Sequence, residues 1–154
     1  LAVARNSDLL TYTGADVANI KTLAATFSRG VGIATSGIMV ELNDNTANER
    51  VLMYVPNGTQ SSWFVVDGGA VQVDTDSAYT AGTTAKQAVS FATNDVKMGK
   101  NGATQAADTS ATIPTVTQLD VGHTRGTAPL NGAVGGIYGW TRNLSQSELN
   151  AITA

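Results

Sequence analysis

The side chains of this sequence that are best suited to chemistry are a few aromatic and planar polar residues. Sugars are bound by aromatic rings that cover the apolar face of the pyranose and by planar polar groups that reach its hydroxyls. His123 and Arg125 lie in the segment 123–129 between two predicted strands, and binding residues often gather in such loops. The sequence therefore offers a carbohydrate site as a hypothesis, with Tyr79, His123, Arg125, Asn131 and Trp140 as its candidate ligand-binding residues.

Each of these candidates also has a purely structural interpretation. His123 and Arg125 are compatible with a solvated loop or a turn contact, and Trp140 with packing in the core or against a helix. Trp63 has three interpretations: a core residue, part of a subunit interface, or a platform for a sugar. Tyr138 and Arg142 are the remaining aromatic and polar residues that could contact a sugar.

The carboxylates do not form a catalytic pair. Hydrolysis of a glycosidic bond requires two carboxyl groups about 5–10 Å apart on either side of the bond. The sequence has three glutamates: Glu148 belongs to a helix cap, Glu41 lies at an outward strand position and Glu49 lies in a polar loop. No G-x-S-x-G motif supplies a serine that could act with His123. We therefore predict that this chain is not an enzyme.

One oxygen-rich segment raises the question of a metal. Asp44, Asn45 and Glu49 offer the oxygen ligands that calcium prefers, although their spacing is not that of a calcium loop. The alternative is an ordinary turn, in which Asn and Asp are common. The absence of cysteine and the single histidine exclude thiolate and multi-histidine sites. We predict no cofactor, with calcium as a weak candidate.

The composition excludes two further classes of partner. Charged residues make up 14% of the chain and the net charge is −3, so no basic surface is available for a phosphate backbone, and we predict no nucleic-acid partner. No apolar run approaches the roughly 18–20 residues of a membrane span, so we predict no membrane insertion. Thr, Ser and Asn stand where Glu and Lys are usual, which is typical of a β protein with a neutral polar surface.

Period-two alternation predicts about ten short strands, the pattern of a sandwich or barrel. In the clearest of them, Ile38, Val40 and Leu42 point to one face and Met39 and Glu41 to the other. The predicted strands are Leu9–Tyr12, Lys21–Phe27, Ile38–Leu42, Val51–Val55, Trp63–Val66, Val71–Val73, Lys86–Ala92, Val96–Met98, Thr117–Val121 and Val134–Trp140.

Turn and cap residues agree with this order. Asn57-Gly58 and Asn101-Gly102 predict type I′ hairpins, and Asp67-Gly68-Gly69 a third hairpin. Pro56 is expected to end its strand, and residues 101–114 are expected to form a long surface loop. At the C-terminus, Ser145 and Glu148 form a capping box that predicts a helix of about two turns.

Two strands, Val51–Val55 and Trp63–Val66, are apolar on both faces and must be covered on both. One interpretation is a loop folded over the outer face. The other is a subunit interface, which the low surface charge also favours. The candidate interface residues are Leu52, Tyr54, Trp63 and Phe64.

Several motifs resemble those of the concanavalin A-like, laminin-G-like sandwich family, most specifically in the C-terminal third. The resemblance implies an all-β, two-sheet antiparallel jelly-roll sandwich with a short C-terminal helix and with adjacent first and last strands. The motifs that carry it are Leu119-Asp120-Val121-Gly122, Pro129-Leu130-Asn131-Gly132, Leu144-Ser145 with Glu148-Leu149, Ala88–Ala92 with Asn101-Gly102, and Arg5 with Asp8 near the start.

Within that family, the neutral composition and a chain that begins at Leu1 resemble the C-terminal domain of a bacteriophage tailspike or tail fibre. The resemblance implies that residues 1–154 are one lectin-like domain of a longer chain whose depolymerase activity, if any, lies elsewhere. It further implies a homotrimer in the phage tail of the virion that stabilises the spike and contacts the host surface. The alternative is a monomeric lectin-like module that recognises bacterial surface polysaccharide.

Overall fold

The computed structural model describes residues 10–154, whose strands form two antiparallel sheets. Sheet A has the order β1-β10-β3-β4-β5-β6 and sheet B the order β11-β2-β7-β8-β9. This confirms the predicted two-sheet sandwich. The strands are β1 (Leu10–Tyr12), β2 (Thr22–Arg29), β3 (Gly37–Asn43), β4 (Arg50–Asn57), β5 (Gln60–Asp67), β6 (Ala70–Ala78), β7 (Thr84–Ala92), β8 (Asp95–Lys100), β9 (Ala103–Asp108), β10 (Gln118–Val121) and β11 (Gly132–Trp140).

The core lies between the two sheets and is built mainly from the inward positions of the alternating strands. In β3 the predicted alternation is wrong, because a register shift between Ile38 and Val40 turns Ile38 outward and places both Met39 and Val40 in the core. Trp63 at its centre is 0% exposed, and its indole N–H donates to the carbonyl oxygen of Ala88 at 2.9 Å. This bond crosses from β5 of sheet A to β7 of sheet B. Phe27 and Phe91 of sheet B pack in the same cluster with Leu42 of sheet A.

One predicted loop contains a strand. Residues 103–108, within the segment 101–114, form β9 and pair with β8. The segment lacks large apolar residues because β9 is an edge strand with no fully buried residue, so Ala and Thr suffice there. Asn101 and Gly102 have φ of 47° and 78°, as a type I′ turn requires.

The hairpin at Asn57-Gly58 exists, but its turn differs from the predicted type. Neither residue has a positive φ; instead the Asn57 Oδ1 accepts bonds from the Thr59 backbone N–H at 2.9 Å and hydroxyl at 2.8 Å. Pro56 does not end β4, which continues to Asn57. The ladder shifts register between Tyr54 and Asn57, which accommodates a residue without an N–H.

The C-terminal helix is as predicted. Helix α1 spans Gln146–Thr153, and both hydrogen bonds of the Ser145–Glu148 capping box are present. Its Leu149 packs with Leu144 and Ala88 on the outer face of sheet B. No helix within residues 10–154 has the length and hydrophobicity of a membrane span.

The first and last strands of the described chain do not pair with each other. β1 pairs with β10 at the edge of sheet A, and β11 pairs with β2 at the edge of sheet B. Arg5, Asp8 and Leu9, which entered the sequence expectations, lie outside the described residues.

Lys100 at the end of β8 places a charge between the sheets. It is 5% exposed, and its ammonium donates to the Ser61 hydroxyl at 2.7 Å and to the carbonyl of Ala78. No carboxylate among residues 10–154 forms an ion pair with it. Burial therefore lowers the pKa of Lys100 to about 8.

This burial predicts that the protein becomes more stable as pH rises from about 8 to 10.5, the ordinary lysine value. In that window the unfolded chain binds more protons than the folded one, so the free energy of unfolding increases with pH. We expect Lys100→Met to flatten the increase measured by urea unfolding. Lys86→Met, which removes an exposed lysine of β7, should retain it. Equal slopes for the wild type and Lys100→Met would contradict this account.

Candidate functional site

The outer face of sheet A carries a depression of about 270 Å³, here named the sheet-A groove. Its floor comes from strand alternation: because Met53 and Trp63 point into the core, Leu52 and Phe64 point outward. The groove is lined by Ser36, Ile38, Arg50, Leu52, Tyr54, Phe64, Thr124 and Ala128.

The floor of the groove is aromatic at one side. The rings of Tyr54 and Phe64 meet edge to face, with centroids 6.2 Å apart and an interplanar angle of 75°. The guanidinium of Arg50 lies 5.2 Å from the centre of the Phe64 ring. This cation–π contact holds the Arg50 side chain flat against the floor.

A buried carboxylate lies beside the groove. Glu41 is 0% exposed, and its Oε1 is 3.2 Å from Arg125 Nη1 and 4.0 Å from Arg50 Nη1. Burial raises the pKa of Glu41, and the hydroxyl of Thr124 and then the two guanidiniums counteract part of that effect. The shorter contact shows that Arg125 is the principal partner of Glu41, which leaves Arg50 only weakly engaged.

The loop 122–131 folds over the outer face of sheet A and forms one wall of the groove. Arg125 and Ala128 have φ of 43° and 47°, in the left-handed region that non-glycine residues avoid. The loop is held there by paired bonds between Thr124 and Thr127 at 2.9 and 2.7 Å and by the bond from Ile38 N–H to Ala128 O at 3.1 Å. A strained backbone conformation persists only where surrounding contacts hold it in place, as these hydrogen bonds do here.

Asp120 of β10 anchors this loop. Its carboxylate accepts bonds from the Arg125 backbone N–H at 3.0 Å, the Asn43 amide at 3.0 Å and the Thr11 hydroxyl at 2.6 Å. Burial alone would raise the pKa of Asp120, but these bonds, chiefly that of Thr11, hold it below its usual value.

One polar atom of the groove lining has no partner within the chain. Arg50 Nε is buried and makes no hydrogen bond, whereas the Thr124 hydroxyl interacts with the Glu41 carboxylate and lowers its pKa. Leaving a buried polar group unpaired costs about 1–3 kcal/mol, so native structures rarely contain one without a reason. Arg50 lines the groove, where a ligand hydroxyl or carboxylate would satisfy its Nε.

The structure brings few of the predicted ligand-binding residues together. Arg125 is bonded to Glu41 beside the groove but does not line it, and His123 lies in the same loop, fully buried, with its Nδ1 accepting the Gly126 N–H at 3.0 Å. Tyr79 is in the core, where its hydroxyl bonds to Arg29 N–H and Thr83 O. Asn131 and Trp140 lie elsewhere, on an exposed turn and on the outer face of sheet B.

The candidate interface residues also separate. Trp63 is wholly inside the core, the structural alternative that the sequence left open, because β5 alternates in the opposite phase to that needed for outward exposure. Leu52, Tyr54 and Phe64 do point outward, but Leu52 is only 3% exposed. The covering of the outer face comes in part from the loop 122–131 of the same chain.

The weak calcium candidates are engaged in turns. The Asp44 carboxylate accepts bonds from the Thr46 N–H at 2.8 Å and hydroxyl at 2.6 Å, and the Glu49 carboxylate accepts the Gly68 N–H at 2.7 Å. Asn45 has a φ of 73°, a turn conformation. Within residues 10–154 no three His, Cys, Asp or Glu side chains cluster as metal ligands would.

Sequence reasoning missed Ser36, Ile38, Arg50, Thr124 and Ala128 as parts of one surface. One signal was available for Arg50. It precedes Leu52 and Tyr54 at intervals of two, so it must share their outward face. No local signal joins Thr124 and Ala128 to β4, because that contact depends on how the loop folds back.

No protein-family model matches the chain, and no curated protein matches its sequence. Solved structures match its fold. Ruminococcus gnavus IT-sialidase CBM40 bound to α2,3-sialyllactose has a TM-score of 0.77 at 16% identity, covering 96% of this chain and 94% of that one. The SAP-like pentraxin of Limulus polyphemus has a TM-score of 0.64 at 9% identity, covering 88% of this chain and 70% of that one.

Mouse laminin α1 domains LG4-5 have a TM-score of 0.59 at 14% identity, covering 92% of this chain and 41% of that one. At these identities the likeness concerns the fold. This chain therefore shares the two-sheet antiparallel β-sandwich fold of these solved structures.

The anchoring role of Asp120 predicts a loss of stability in Asp120→Asn of about 2 kcal/mol at neutral pH, because a buried acceptor oxygen becomes a donor. Since the folded pKa of Asp120 is depressed, the advantage of the wild type is present above 3.8, the ordinary aspartate value, and declines as pH falls further. Urea unfolding at several pH values measures both effects. Asp74→Asn, at an exposed position of β6, is the control. An equal loss of stability in Asp74→Asn would show that the hydrogen bonds of Asp120 to the loop are not the cause.

Proposed function

We propose that this protein is a carbohydrate-binding module and that its glycan lies in the sheet-A groove. The observation that carries the proposal is the combination of an aromatic floor with a buried, unpartnered polar atom, Arg50 Nε. Aromatic rings suit the apolar face of a sugar, and a few placed polar groups suit its hydroxyls. The likeness to a module bound to sialyllactose supports the same class of ligand.

We further propose that the preferred sugar carries a carboxylate. Glu41 is engaged mainly by Arg125, at 3.2 Å against 4.0 Å for Arg50. Arg50 therefore faces the groove as a guanidinium whose charge is only partly compensated. A carboxylate on the ligand would accept charge-assisted bonds from it, and such bonds are about twice as strong as neutral ones.

We propose binding without turnover. Beside the groove, Glu41 is fully buried against two arginines and is not presented to a ligand. The acidic residues at the other side, Asp74 and Asp76, lie on edge strand β6, and Asp76 is bonded to Ser62 and Gln60. A glycosidase needs a general acid and a second carboxylate that reach the same bond.

The direct test is isothermal titration with 3′-sialyllactose and with lactose. We expect saturable binding of 3′-sialyllactose, weaker binding of lactose, and a loss of about tenfold in affinity for sialyllactose in Arg50→Gln. Arg142→Gln is the matched control, since Arg142 is an exposed, ion-paired arginine between β11 and helix α1, away from the groove. If Arg50→Gln and Arg142→Gln bind as the wild type does, or if no glycan binds, the groove is not the site.

A second candidate is a homotrimeric module of a phage tail appendage, located in the virion. It is supported by the outward apolar side chains of β4 and β5, where Tyr54 and Phe64 are only half-buried, and by the low charge of the chain. In that arrangement the neighbouring copy, rather than a sugar, would cover the aromatic floor.

Light scattering after size exclusion separates the two proposals. A trimer that Tyr54→Asp dissociates would favour the assembly, since a charge on an apolar interface is costly. A monomer whose Tyr54→Asp variant remains folded would exclude this interface and leave the face free for glycan. Tyr12→Asp, at an exposed tyrosine of β1, controls for a general effect of the substitution.

A further inference from the structure

The outer face of sheet B is only half covered. Helix α1 contacts β7, β8 and β9, and the cluster beneath it takes in Ala24 of β2 and Trp140 at the end of β11. Thr26 and Ser28, further along β2, remain partly exposed. Tyr138 of β11 lies on this uncovered part and is 59% exposed. It takes no part in the core or in the sheet-A groove.

The sequence of β11 determines where the Tyr138 ring lies. The ladder with β2 shifts register between Val134 and Ile137, so Gly135 and Gly136 form a bulge. A Cβ on Gly136 would lie 2.7–3.0 Å from three atoms of Tyr138, its hydroxyl oxygen included. The tyrosine ring therefore occupies the space of the side chain that Gly136 lacks, and it rests on the strand.

A second aromatic ring continues the surface. Trp140, two residues further along the same face, has its ring centroid 6.1 Å from that of Tyr138 and a tilt of 32° between the planes. Its other side packs against the cluster of Leu144 and Leu149 under helix α1. Trp140 is thereby fixed, and the two rings form a platform with little conformational freedom left to lose on binding.

The surroundings of the platform favour a small neutral ligand over a protein. Among the described residues, Tyr138 is the only large hydrophobic side chain exposed on this face, whereas a stable protein interface buries roughly 800 Å² on each partner. Thr26 and Ser28 of β2 supply hydroxyls, and Arg142 is neutralised by Glu148 at 2.8 Å. Lys86 is the remaining charge on this part of the sheet.

We propose that Tyr138 and Trp140 form a second carbohydrate site, on the opposite face of the sandwich from the sheet-A groove. Its ligand is a neutral glycan of β-linked pyranoses with equatorial hydroxyls, because in such sugars the C–H bonds form flat apolar faces that stack on aromatic rings. With the groove occupied as well, one module would hold two glycan segments and gain avidity on a polysaccharide surface.

The test is a fluorescence titration of the whole chain with cellotetraose. The chain has two tryptophans; Trp63 is 0% exposed, so a change on binding reports Trp140. We expect a saturable change in the wild type and a loss of affinity of about tenfold or more in Tyr138→Ala. Tyr138 is exposed, so this variant should keep the wild-type melting temperature and the wild-type affinity for 3′-sialyllactose.

Tyr12→Ala is the matched control. Tyr12 is 53% exposed and also fills the space of a missing side chain, that of Gly14, but within residues 10–154 no aromatic ring pairs with it. It should bind cellotetraose as the wild type does. No saturable change with cellotetraose, or an equal loss in Tyr12→Ala and Tyr138→Ala, would overturn the proposal. Failure of 3′-sialyllactose to bind would overturn the groove alone, because the cellotetraose titration does not depend on it.

Discussion

The hydrogen bond from the Trp63 indole to the Ala88 carbonyl connects the two sheets through the centre of the core at 2.9 Å. It requires Trp63 to point inward, and this sets the phase of β5 and of its neighbour β4. A slip of one residue would exchange the inner and outer faces of both strands. The core would then lose Met53 and Trp63, and the outer face would lose Leu52 and Phe64. The same constraint thus forms the core and the floor of the groove.

On the outer face of sheet A, buried polar groups hold the structure together, as apolar packing does in the core. Glu41 and Asp120 are fully buried, and each holds part of the loop 122–131: Glu41 through the Arg125 guanidinium and Asp120 through the Arg125 backbone. Truncating one member of such a network leaves the others buried without partners, which is costly. The loop can therefore keep Arg125 and Ala128 in the left-handed region and present a rigid groove wall.

The two sheets differ in how their outer faces are covered. Sheet A covers part of its apolar outer surface with its own loop and leaves a groove beside it. Sheet B covers one half with helix α1 and builds the other half from glycine, threonine and serine, with Tyr138 exposed above them. In both cases an aromatic side chain remains at the border of the covered area. These borders are where a flat apolar ligand meets both a rigid ring and polar neighbours.

The sequence by itself determined the elements with strong local periodicity or local chemistry. The strand Lys21–Phe27 alternates, Ser145 and Glu148 cap a helix, and Asn101-Gly102 adopts a positive-φ turn, because each depends only on residues a few positions apart. The alternation predicted for Ile38–Leu42 was wrong, since a register shift in the ladder with β4 interrupts it. β9 was missed since an edge strand needs no large apolar residues, and Pro56 was misjudged since a register shift removed the need for its N–H.

Only the tertiary structure decided which residues meet. Arg125 was identified from its loop, but its partner Glu41 is 84 residues away, and nothing local indicates that Arg50 and Thr124 share a groove. Likewise, Tyr79 and Trp63 are core residues because the packing of the two sheets brings distant strands together. That packing decides which side chains are exposed to solvent. Local patterns specify direction and alternation along a strand, whereas a site is defined by contacts across strands that no single segment encodes.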